Sequence, residues 1–112
     1  TVLAQRLQDR FNQHPHVGDI RGRGMLMTLE LVKDRETKAP FPAECNLSPM
    51  IYREALARGL ITHALGGTVD GINGDHIVVC PPLIASEKDL ETIVGLLGES
   101  IDASLSELAV GG

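Results

Sequence analysis

Four histidines, two cysteines and three lysines are the side chains of this 112-residue chain whose types suit metal, thiol or amine chemistry. His14-Pro15-His16 brings two imidazoles close together. The proline forces them onto a bend and no third ligand lies nearby, whereas a zinc site needs about three or four N, S or O ligands, so a surface turn is expected. Cys45 and Cys80 share no C-x-x-C motif. Cys80 lies in an apolar run and reads as a small buried hydrophobe, and Cys45 lies in a polar stretch; neither has a basic neighbour that would favour a thiolate. Asp19 and Glu30 could form a carboxylate pair only through the fold, and solvated surface positions are expected for both. Gly22-x-Gly24 lacks the third glycine of a dinucleotide fingerprint and leads into a strand instead of a helix. Residues 65–75 (LGGTVDGINGD) hold four glycines and lack the Gly-Lys-Ser/Thr ending of a phosphate loop. They are expected to be irregular, and long loops in small domains often line functional sites. No nucleophile, base and oxyanion site come together in these patterns.

The elements that would hold these residues are clearer. Leu3, Leu7 and Phe11 make one apolar stripe, ended by His14-Pro15. Val17–Arg21 and Met25–Val32 read as a strand pair turning at Gly22 and Gly24, with Met27, Leu29 and Leu31 on one face. Residues 33–46 read as a loop. A helix follows, capped by Ser48 or Asn46, with Leu47, Ile51, Ala55 and Leu56 on one side and a stop at Arg58-Gly59. Leu60–Ala64 is short and extended, and His76–Cys80 is a strand closed by Pro81-Pro82. Ser86 and Asp89 announce a last helix carrying Leu90, Ile93, Val94, Leu97, Ile101, Leu105 and Leu108, frayed from Val110. The order is α-β-β-α-β-β-α. Paired hairpin-like strands with helices packed on one face make an α+β fold with a small, mostly antiparallel sheet.

Length allows a single domain over residues 1–112, and 43% apolar with 22% charged residues is the balance of a soluble globular domain. A net charge of −5 lacks the electrostatic footprint of a nucleic-acid or anionic-membrane binder. No apolar run approaches the roughly 20 residues of a membrane span, and a cytoplasmic location is expected. The chain opens at Thr1 within a helical pattern, without an initiator Met, so a piece of a longer protein is expected.

Four stretches in series resemble one family. Val17–Leu26 followed by Leu29–Arg35, then Ala57-Arg58-Gly59-Leu60-Ile61, then Gly74-Asp75-His76 through Cys80-Pro81-Pro82-Leu83-Ile84, and finally Ser86-Glu87, resemble the C-terminal small domain of class III pyridoxal-phosphate-dependent aminotransferases of fold type I. The resemblance implies a transaminase, dimeric in its full-length form, that moves an amino group from an amine or ω-amino acid to a keto acid such as pyruvate. In that family a lysine on a large domain holds pyridoxal 5'-phosphate as a Schiff base. The small domain closes over the substrate and helps select it. Lys33, Lys38 and Lys88 all read as solvated, so the large cofactor-binding domain is expected to be missing here. The chain alone is then expected to be inactive, with no cofactor bound. Many relatives carry an arginine for a substrate carboxylate where this chain has Gly71-Ile72-Asn73 or Val78, and no arginine follows Arg58. Substrate contacts are therefore expected from His63, Gly66, Gly67 and Thr68, with no catalytic, cofactor or metal ligand assigned on this chain. The alternative is a stand-alone, non-catalytic binding or assembly module of the same fold. An apolar patch left uncovered, with the first helix as its expected site, would separate the two.

Overall fold

The computed structural model describes residues 2–23, 26–42, 45–60, 63–66, 74–79 and 86–111. Three helices and four strands follow in the order expected: α1 (Val2–Phe11), β1 (Val17–Arg23), β2 (Leu26–Leu31), α2 (Leu47–Ala57), β3 (His63–Gly66), β4 (Asp75–Val79) and α3 (Glu87–Gly111). The strands form one antiparallel sheet in the order β1-β2-β4-β3.

Alternation along β2 buries Met27, Leu29 and Leu31, and Leu29 lies opposite Ile20 on β1 and Ile77 on β4. These side chains join Leu3, Leu7 and Phe11 of α1, Leu47 and Ile51 of α2, and Leu90, Val94, Leu97 and Ile101 of α3 in one core. The core thus fills the space between one sheet face and the helices. Leu3, Leu7 and Phe11 are each 0% exposed. The stripe expected to lie uncovered on the first helix is instead sealed within this chain, because α3 packs against α1.

Local chemistry explains the helix ends. The Asp89 N–H donates to Ser86 Oγ at 3.1 Å and the Ser86 N–H donates to Asp89 Oδ2 at 3.0 Å, a reciprocal capping box that starts α3. Two serines inside α3, Ser100 and Ser104, are fully buried, and each hydroxyl donates to the carbonyl four residues back, Leu96 and Ser100. Beyond the end of α1, the Arg35 guanidinium donates to the carbonyls of Asn12 and His14, which ties the 33–46 loop to that helix. Phe41 anchors the same loop in the core.

Several sequence expectations change. Gly22 is not a turn residue: it lies inside β1, paired with Met27, at φ +141°, where a Cβ would run into the Leu26 carbonyl. The strands are joined one step later, between Arg23 and Leu26. Leu65, Gly66 and Asp75, expected in an irregular stretch, pair within β3 and β4 instead. Leu60, expected to be extended, still donates its N–H to the Ala55 carbonyl as the chain leaves α2, and β3 runs His63–Gly66, with residues 61 and 62 outside the described residues. α3 continues through Gly111 where fraying was expected. Cys80, Pro81 and Pro82 lie outside the described residues.

Candidate functional site

The β3–β4 pair sets the frame for the residues expected to meet a substrate. His63 opens β3 opposite Val78, and Gly66 closes it opposite Asp75. Gly67, Thr68 and the rest of 67–73 lie outside the described residues. β3 is an edge strand, so β4 is its one partner in the sheet.

Strand alternation puts a second set of side chains on the face away from the core. Asp19 lies opposite Glu30, and Glu30 opposite His76, in one row across β1, β2 and β4. Arg21 lies along that row. Its guanidinium donates to Asp19 Oδ2 at 3.0 Å, to Glu30 Oε2 at 3.4 Å and to His76 Nε2 at 2.5 Å. His76 Nε2 also lies 3.4 Å from Glu30 Oε2. Asp19 and Glu30, expected to be separate solvated groups, are therefore neighbours. With a fixed cation between them they form an ion-paired brace rather than a general acid and base.

A buried pair sits where β4 meets α2. Ser48 and Asp75 are 4% and 7% exposed, and the Ser48 hydroxyl donates to Asp75 Oδ1. The Ser48 backbone N–H also bonds to that carboxylate. Burial pushes the Asp75 carboxyl above its ordinary range, although the bonds from Ser48 and the nearby His76 pull it back. Neither expected cap operates on α2: Asn46 adopts the left-handed conformation (φ 53°) with no side-chain cap bond, and the Ser48 side chain is committed to β4. The missed signal was that Asp75 ends a glycine-rich stretch directly ahead of an apolar strand, where an inward carboxylate must find donors.

The turn expected at His14-Pro15-His16 forms with Pro15 exposed, but the His14 side chain is drawn inward. The His14 side chain is only 9% exposed and its Nε2 lies 2.7 Å from Asp102 Oδ1 on α3. Its Nδ1 accepts the His16 N–H at 3.1 Å. Arg10 shares the same carboxylate at 2.9 Å. Among the described residues no three His, Cys, Asp or Glu side chains cluster to hold a metal. Cys45 is partly exposed and unbridged. No helix is long and apolar enough to cross a membrane among the described residues.

Lys33, Lys38 and Lys88 are all exposed, and the Lys38 ammonium is spent on the Gly18 carbonyl. A lysine that holds a carbonyl cofactor needs a pocket out of water. The residues of this chain therefore do not fit the covalent anchor of pyridoxal phosphate, and no step through that group is derived from them.

No family model matches the chain. It is 35% identical over 106 residues to an uncharacterized aminotransferase of Schizosaccharomyces pombe, covering 95% of this chain and 23% of that protein. It is 36% identical over 107 residues to the taurine–pyruvate aminotransferase of Rhodobacter capsulatus, covering 96% of this chain and 22% of that one. An omega transaminase from Pseudomonas jessenii, solved in complex with PMP, superposes with a TM-score of 0.78 at 35% identity over 99% of this chain and 22% of its own. The chain thus spans about a fifth of the length of the relatives it matches. Along nearly its whole length this chain is similar to a segment of these aminotransferases, and its three helices on an antiparallel sheet share the fold of the transaminase small domain.

Proposed function

We propose that residues 1–112 are one domain, the C-terminal small domain of a class III pyridoxal-phosphate-dependent transaminase. The full-length enzyme transfers an amino group from an amine or ω-amino acid to a keto acid such as pyruvate. The observation that carries this reading is the alignment of 95–99% of the chain, in order, with transaminases four to five times its length. In it the rest of the polypeptide supplies the large domain with the cofactor-anchoring lysine. A second subunit completes a cytoplasmic homodimer. Bound pyridoxal phosphate supplies the electron sink for breaking the bond at the amine-bearing carbon. This domain's share is to close over the substrate, with His63, Gly66, Gly67 and Thr68 beside the donor and no carboxylate-binding arginine after Arg58. That absence favours donors whose far end is neutral or long. The taurine–pyruvate activity of the Rhodobacter relative and the PMP held by the Pseudomonas one support the same class of chemistry.

The test is the full-length protein given pyridoxal phosphate, pyruvate and a panel of amines and ω-amino acids, with alanine formation as the readout. The expected result is alanine from the full-length protein and none from residues 1–112 alone. A full-length protein that binds no cofactor and makes no alanine overturns the reading. One observation favours the alternative of a stand-alone binding module: the α1 stripe that a large domain was expected to cover is already buried within this chain. An open reading frame starting just before Thr1 would decide for that alternative.

A further inference from the structure

α2 begins without a cap of its own. Asn46 stands at the cap position in a left-handed conformation and makes no side-chain bond to the first turn. The second helical residue, Ser48, has a backbone N–H that an N-cap side chain would ordinarily take. Here the carboxylate of Asp75 takes it, together with the Ser48 hydroxyl. Asp75 is thus a cap delivered from another element, and its negative charge sits at the positive end of the α2 dipole.

The same residue starts β4, paired with Leu31 of β2 on one side and with Gly66 of β3 on the other. One buried carboxylate therefore joins a helix start to three strand ends. Among the described residues, His63–Gly66 of β3 pair with β4. Its far end, at Gly66, is held by the residue that Ser48 holds.

Resting on the transaminase reading above, we propose that Asp75 is a positioning residue of the enzyme: latched to Ser48, it fixes the β3 edge from which His63 and Gly66 are presented to the amino donor. When the latch opens, α2 loses its cap and the Gly66–Asp75 end of the hairpin loses its anchor. Only the latched fraction of molecules then binds donor well, so the apparent affinity falls by that fraction while the chemistry on bound donor is spared.

The experiment uses the full-length enzyme with pyridoxal phosphate and compares Ser48→Ala, Asp75→Asn, the double variant and Ser104→Ala. Ser104 is a fully buried serine of α3 whose hydroxyl donates to the Ser100 carbonyl of its own helix, so its loss reports general destabilisation. The expected result is a KM for the amino donor raised about tenfold, the equivalent of about 1.4 kcal/mol, in Ser48→Ala and Asp75→Asn, with kcat little changed. Ser104→Ala lowers the melting temperature and leaves KM where it was. The double variant melts no lower than the worse single variant, because both break one interaction. Should Asp75→Asn fail to fold, Ser48→Ala alone carries the KM arm. An unchanged KM in folded Ser48→Ala enzyme, or a KM rise in Ser104→Ala of equal size, overturns the proposal. Additive melting losses in a foldable double variant do so as well. A wild-type protein without amino-transfer activity overturns the transaminase reading and this inference with it, whereas an active wild type with an unmoved KM overturns this inference alone.

Discussion

Asp102 and Asp75 respond to acid in opposite senses, because their surroundings differ. Burial raises the Asp102 carboxyl somewhat, but hydrogen bonds from His14 and Arg10, with their charges, outweigh it and hold the group below its ordinary range. A carboxyl lowered in the folded state contributes stability that is present above its unfolded pKa and lost as pH falls through the folded value. Asp102→Asn is therefore expected to flatten the loss of stability on acidification below about pH 4, read as the urea midpoint against pH. The group is half exposed, so the effect is modest, about 0.5 kcal/mol. Asp75 is raised, so its contribution is fullest below the unfolded pKa and is lost as pH climbs through the folded one. Gly22 makes a sharper prediction. At φ +141° with the Leu26 carbonyl where a Cβ would go, Gly22→Ala is expected to cost roughly 2 kcal/mol or more, measured by urea unfolding.

At the level of elements, periodicity named the three helices and strands β1, β2 and β4, β3 was only partly anticipated at Leu60–Ala64, and the capping box of α3 was readable from Ser86 and Asp89 alone. Ser86→Ala is expected to lower stability by about 1 kcal/mol, seen as a lower melting temperature with the helix still formed. Contacts between elements were not readable in the same way. The Ser48–Asp75 latch joins residues 27 apart in sequence, and the bond from His14 to Asp102 spans 88. Neither has a local pattern, because a tertiary bond depends on which strands become neighbours. The brace of Asp19, Arg21, Glu30 and His76 was half legible: outward positions follow from strand alternation, but not the strand order β1-β2-β4-β3 that brings His76 beside Glu30. The Gly22 error has the same root, since a turn glycine and a strand glycine look alike until the register is known.

Taken whole, the described residues gather one core, with α1, α2 and α3 on one side of the sheet. Large apolar side chains at the described surface are confined to Val2, Leu26, Tyr52 and Leu56. The substrate residues could be proposed from the family resemblance but not from the chain's own physics, because the groups that would face them belong to a polypeptide several times longer. The sheet has one more property that bears on such a segment when it is handled apart from its relatives' remaining length. One of its outer strands is a poor template for recruiting another chain: β1 is broken in register between Val17 and Asp19 and carries charged Asp19 and Arg21. Edge-to-edge addition of a second chain along β1 is therefore disfavoured.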